Sequence, residues 1–168
     1  AICELIMEHI DGDKNPGDEL GRTPFHFAAK HGHLEICQLI MGRINDKNPL
    51  AMDETTPLHL AAENGHLSVC QMIVERLHNG NRNPTRLNGV TPYHLAAKNG
   101  FSKICHLIHK YLDKSCDYAI NPPDDHNYTP FHYAAAHGHL SICKFFIDNL
   151  SNQNPKCDFD STPLHLAT

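Results

Sequence analysis

Tryptophan is absent from this chain of 168 residues, and no apolar run approaches the roughly 20 residues that a bilayer-spanning helix needs. Positive charge is scarce too: 14 Lys and Arg stand against 19 Asp and Glu, a formal net charge of −5. A grip on phosphate backbones takes clustered positive charge, so nucleic acid is not an expected partner. No glycine-rich loop of the kind that cradles phosphate occurs, and no nucleophile stands at a meaningful spacing from a base. Asp124 and Asp125 are adjacent, which points their side chains apart and not across a substrate. No catalytic residue, cofactor site or small-molecule substrate is therefore assigned, and the chain is expected not to be an enzyme. The opening AICELIMEHI carries two acids and a helical pattern, in place of the basic stretch and apolar core of a secretory leader.

What is present is repetition. TPFHFAA begins at Thr23, TPLHLAA at Thr56, TPYHLAA at Thr91, TPFHYAA at Thr129 and TPLHLAT at Thr162. Asn-Pro precedes each of them at a constant offset, at Asn15, Asn48, Asn83, Asn121 and Asn154. Cysteine follows at a constant offset in the full copies, at Cys37, Cys70, Cys105 and Cys143, and Cys3 continues the series upstream. With three markers in register, all variation in length falls between the cysteine and the next Asn-Pro. The largest insertion lies between Cys105 and Asn121. Stacked repeats tolerate insertions in such surface loops.

Within a copy the signals are helical. Thr is a good N-cap and Pro suits the first helical position. Phe25, Phe27, Ala28 and Ala29 then give a short apolar helix, which Gly32, Gly65, Gly100 and Gly138 should end in a left-handed conformation. A second helix begins near Leu34, with Ile36, Cys37, Leu39 and Ile40 on one face. Asn-Pro is expected to stop it, because the residue before proline disfavours helix. The six residues between Pro and Thr, such as GDELGR, read as a turn or hairpin.

This pattern closely resembles the ankyrin repeat, which has a 33-residue period and a T-P-L-H-x-A signature. The resemblance covers the whole chain. It implies an all-α solenoid in which each repeat contributes a finger turn and two antiparallel helices, stacked into a curved array. The chain then reads as one repeat domain over residues 1–168. Full repeats lie at 15–47, 48–82, 83–120 and 121–153, with partial ones at 1–14 and 154–168. Leu164 and Leu166 would face nothing at the end, so the chain is read as a piece of a longer array. Asp18 and Gly21 match the family's finger, whereas Glu54, Asn127 and Asp160 replace the glycine, and those tips are expected to be bent or looser.

The chain holds 15 His and 7 Cys, which invite a metal or redox reading. His26, His59, His94, His132 and His165 share one repeat position. Equivalent positions in stacked helices lie roughly 10 Å apart, too far for one zinc ion to bridge. The resemblance implies instead a structural role, in which each His ties finger to helix beside Thr23, Thr56, Thr91, Thr129 and Thr162. His33, His66 and His139 are read as hydrogen-bonding a neighbouring repeat, and His106 and His109 as part of a solvated outer face. The in-register cysteines read as small buried hydrophobes, too far apart for disulfides. Cys116 and Cys157 could be exposed. Free thiols fit a reducing compartment, so an intracellular, cytoplasmic setting is expected, with the nucleus as an alternative.

Information must then lie where the copies differ, at the finger tips and in the two residues before the helix-ending glycine. The first copy offers Glu19, Leu20, Arg22, Lys30 and His31, and the second offers Met52, Asp53, Thr55, Glu63 and Asn64. The third offers Leu87, Asn88, Val90, Lys98 and Asn99, and the fourth Asp125, His126, Tyr128, Ala136 and His137. The last finger adds Asp158, Phe159 and Ser161. In arrays of this family these positions line a concave face. Apolar and aromatic residues beside polar ones resemble an interface centre with a polar rim, so the expected partner is a peptide or a folded protein. Leu20, Leu87 and Phe159 could instead only pack one finger on the next. A passive spacer, a metal or redox sensor, and hydroxylation of the loop asparagines are the competing readings.

Overall fold

The fold is that of a computed structural model, which describes residues 2–9, 15–77, 81–112 and 117–167. In chain order the helices are α1 (Ile2–His9), α2 (Pro24–Lys30), α3 (Leu34–Met41), α4 (Pro57–Glu63), α5 (Leu67–Arg76) and α6 (Pro92–Lys98). They continue with α7 (Ser102–Tyr111), α8 (Asp117–Ile120), α9 (Pro130–Ala136), α10 (Leu140–Asn149) and α11 (Pro163–Leu166). Among the described residues no strand occurs. Cys116 lies outside the described residues, and so does the side chain of Cys3.

The inner helices α2, α4, α6, α9 and α11 each begin at the proline of Thr-Pro, behind a threonine with extended backbone. Proline lacks an N–H, and the first helical position needs none. Gly32, Gly65, Gly100 and Gly138 follow the inner helices at φ between 70° and 78°. This left-handed turn closes one helix and starts the next two residues later.

The chain divides into two compact units, Ala1–Gly80 and Asn81–Thr168. In the first, α2 packs against α3 and α4, and α5 against α3 and α4. Its core holds Phe25, Cys37, Ile40, Met41, Leu58, Cys70 and Ile73, all buried. In the second, α9 packs against α6, α10 and α11, and α7 against α6 and α10. Phe146 is the hub there: its ring lies 5.4 Å from Tyr93 and stacks on Phe131 at 5.5 Å. Burying an aromatic or branched side chain of this size contributes roughly 1.5–3 kcal/mol each.

Three expectations need correction. Asn-Pro does not stop the outer helix: α3 ends at Met41, well before Asn48, and α10 at Asn149, before Asn154. The chain must cross back from the outer to the inner layer before the next turn, and it leaves the helix to do so. The asparagine instead serves the helix that follows. Its Oδ1 accepts the second backbone N–H of the inner helix ten residues on, at 3.1 Å for Asn15–Phe25, Asn48–Leu58, Asn83–Tyr93 and Asn121–Phe131, and 3.3 Å for Asn154–Leu164. These N–H groups have no partner within the helix, so the asparagine acts as a distant N-cap.

The finger tips without glycine are neither bent nor loose. Glu54, Asn127 and Asp160 sit at φ 60°, 59° and 56°, beside 72° and 71° for Gly21 and Gly89. Each tip makes the same two backbone bonds. Gly21 N–H donates to Asp18 O at 2.8 Å and Asp18 N–H to Arg22 O at 2.9 Å; likewise Glu54 N–H donates to Ala51 O at 3.0 Å and Ala51 N–H to Thr55 O at 2.9 Å. Asn and Asp visit this region readily, and the paired bonds hold Glu54 there against a cost of about 1–2 kcal/mol.

His109 is not on a solvated face. It is buried, with Phe145 of α10 edge-on at 4.8 Å; His106 stays exposed, and its Nδ1 lies 2.6 Å from Ser102 O.

Candidate interaction surface

Each finger is fastened to its inner helix by the Thr–His pair. His26 Nδ1 accepts the Thr23 N–H at 3.0 Å, and the Thr23 hydroxyl lies 2.9 Å from the same nitrogen. His59, His94, His132 and His165 repeat this with Thr56, Thr91, Thr129 and Thr162, at 3.1–3.2 Å from the N–H. An accepting Nδ1 leaves the proton on Nε2. That N–H donates to the backbone carbonyl of the next finger: His26 to Thr55 at 3.0 Å, His94 to Tyr128 at 3.0 Å and His132 to Ser161 at 3.3 Å. Burial disfavours the charged ring, lowering the pKa of His26 and His132 and that of His94 to about 4.

Neighbouring tips are also linked by backbone. Met52 N–H donates to Leu20 O at 2.9 Å in the first unit. In the second, Asp125 N–H donates to Asn88 O and Asp158 N–H to His126 O, both at 3.2 Å. Polar side chains add to this scaffold, as where Asn127 Nδ2–H donates to Asp158 Oδ1 at 2.5 Å, but the apolar ones do not. Leu20, Met52, Leu87 and Phe159 are 53, 70, 64 and 74 % exposed, so packing one finger on the next does not account for them.

The remaining candidate positions divide by burial. Glu19, Arg22, Lys30, His31, Asp53, Glu63, Asn64, Asn88, Lys98, Asn99, Asp125, His126, Ala136, His137 and Asp158 are exposed, and Tyr128 is half-buried. Thr55 and Val90 are corrections: both are buried and leave the surface available to a partner. The Thr55 hydroxyl donates to Asp53 Oδ2 at 2.8 Å. Asn64, Asn99 and His137 fold back onto their own helices, donating to Leu60, Leu95 and Tyr133 carbonyls at 2.8, 3.0 and 3.0 Å.

Sequence reasoning missed Phe27. It shares a short apolar helix with Phe25, yet it is 42 % exposed with the Arg22 guanidinium 5.2 Å above its ring. Residues two apart on a helix point about 200° apart, so burying Phe25 turns Phe27 outward. Tyr133, at the same position in the fourth copy, is half-buried and donates its hydroxyl to Asp124 Oδ2 at 2.9 Å.

The histidine and cysteine surplus has a structural placement. His66 Nε2 donates to Lys30 O and His139 Nε2 to Lys98 O, both at 2.9 Å, each joining one inner-helix end to the copy after it. Among the described residues no three His, Cys, Asp or Glu side chains come together as a metal set. Cys37, Cys70, Cys105 and Cys157 are buried free thiols and Cys143 is half-buried. Burial pushes the first three up to about 12. No described helix is long and apolar enough to cross a membrane.

A family model for three copies of the ankyrin repeat matches residues 42–118 and 107–168, and a single-repeat model matches residues 20–54. No curated protein matches the chain.

Proposed function

The chain belongs to the ankyrin repeat family, whose repeats generally serve as protein–protein interaction modules, and from that premise we propose that it is a non-catalytic scaffold for a peptide or folded protein. The partner lies on the finger tips and the exposed side of the inner helices. One observation carries this reading: Leu20, Met52, Leu87 and Phe159 present apolar side chains to solvent on turns whose hydrogen bonds come from the backbone and from neighbouring polar side chains. Charged residues adjoin the apolar ones on the same turns, Glu19 beside Leu20, Asp53 beside Met52 and Asp158 beside Phe159, a mixture that suits an interface with an apolar centre and a charged rim.

The test compares the chain with its Met52→Ala and Phe159→Ala variants in affinity capture, after checking that all three melt alike. The expected result is a partner held by the parent and lost by a variant. A partner held equally by all three would place binding elsewhere, and the absence of any partner would favour a spacer.

A further inference from the structure

The first copy contains a small assembly around a cation. Asp18 Oδ1 accepts the N–H groups of Leu20 and Arg22 at 3.0 and 2.8 Å. Its Oδ2 accepts Arg22 Nε–H and Nη2–H at 2.9 and 2.8 Å, and the guanidinium lies over the Phe27 ring. A carboxylate thus holds one edge of a planar cation while an aromatic face receives it.

The fourth copy keeps the frame and lacks the cation. Asp124 stands where Asp18 does, with Oδ1 accepting the N–H groups of His126 and Tyr128 at 3.0 and 2.9 Å. Tyr133 replaces Phe27 and donates its hydroxyl to Asp124 Oδ2 at 2.9 Å, leaving that oxygen a second lone pair, and Tyr128 replaces Arg22. The position filled by Lys30, Glu63 and Lys98 in other copies is Ala136, which leaves space open. The result is a hollow of about 290 Å³, walled by Tyr128 and Tyr133, whose ring centres are 6.3 Å apart at 66°. Asp124 lies in its lining, and Asp158 acts electrostatically on Tyr128. Arg86 acts on Tyr133 but donates its Nε–H to Asn88 Oδ1 at 3.2 Å and does not line the hollow.

We propose that this hollow takes an arginine side chain of the protein partner, which supplies from outside the guanidinium that Arg22 supplies in the first copy. The inference rests on the protein-binding reading and names the chemistry of its ligand. Guanidinium suits the site better than ammonium because it stacks flat on an aromatic ring while its edge remains free for a carboxylate.

The 168-residue chain, labelled with ¹⁵N, is titrated with N-acetyl-argininamide and with its neutral isostere N-acetyl-citrullinamide. Saturable shifts of the Asp125–Tyr128 and Ala136–His137 amides are expected with the first, and about tenfold weaker binding with the second. Ala136→Lys, which places the chain's own cation at the hollow, should abolish the shifts while melting like the parent. Tyr128→Ala should weaken them. Equal binding of citrullinamide or of N-acetyl-lysinamide, shifts that survive Ala136→Lys, or no saturable shift at all would overturn the assignment. Capture of a partner that depends on Met52, with no argininamide shift, would sink this inference and leave the protein-binding reading standing. Argininamide shifts with no partner captured would overturn that reading, and the partner assignment with it.

Discussion

His94 and Tyr128 are joined across two repeats by a single hydrogen bond, from the ring Nε2–H to the backbone carbonyl, at 3.0 Å. The other ring nitrogen faces Thr91 within its own repeat. One neutral imidazole therefore fixes a helix start and a neighbouring turn together.

That geometry makes the fold acid-sensitive. His26, His94 and His132 are neutral in the fold with pKa values below 6.5. Above pH 6.5 both folded and unfolded rings are neutral and the full stability is present. As pH falls from 6.5 toward about 4 the unfolded chain takes up protons first, and stability is lost. For His94 this interval corresponds to about 3 kcal/mol. The urea midpoint should fall steeply across that window. His94→Gln should be less stable at pH 7 and have a shallower acid limb; an unchanged limb would remove His94 from the account.

Asn83 caps a helix from ten residues away, and its side chain is buried. Asn83→Ala should cost about 1–2 kcal/mol, since it strands the Tyr93 N–H. Asn83→Asp keeps the acceptor and should cost less. Asn154→Ala should cost less again, because Asn154 is exposed and its bond is longer. Chemical denaturation of the three variants checks the order.

Glu54 and Gly89 share a backbone conformation and should respond in opposite directions. Glu54→Gly relieves a left-handed side chain and should stabilise by roughly 0.5–1 kcal/mol. Gly89→Ala would set a Cβ 2.6 Å from Asp125 Oδ1 and 2.7 Å from its backbone nitrogen, so it should destabilise by more than about 1 kcal/mol. Two thermal melts moving the same way would contradict this.

Cys70 and Cys105 are fully buried, with burial pushing their thiols up to about 12. In pulsed alkylation read by mass spectrometry, both should label only as the chain unfolds in urea. Labelling of either in the native state at the rate of a free thiol would show that the core opens locally.

Much of this was legible in the sequence, because the determinants of helix starts and ends are local. Thr56–Pro57 and Gly65 bound α4 within a few residues of one another. The errors came where partners are distant or where one face had to be chosen. Nothing adjacent to Asn83 announces a bond to Tyr93. His109 looked like surface because its cover, Phe145, belongs to the next copy. Phe25 and Phe27 are chemically alike, and only the angle between them separates core from surface. At Glu54 residue preference argued against a turn that two backbone bonds secure. Thr55 and Val90 vary between copies as tip residues do, although both are buried.

The histidine ties end on the carbonyls of Thr55, Tyr128 and Ser161, residues of very different size whose side chains take no part in the bond. Such a tie is blind to the identity of the residue it holds. A mutation at a tip can therefore change what the surface recognises without loosening the joint beneath it. Under the proposed function, specificity and architecture can therefore drift independently in this chain.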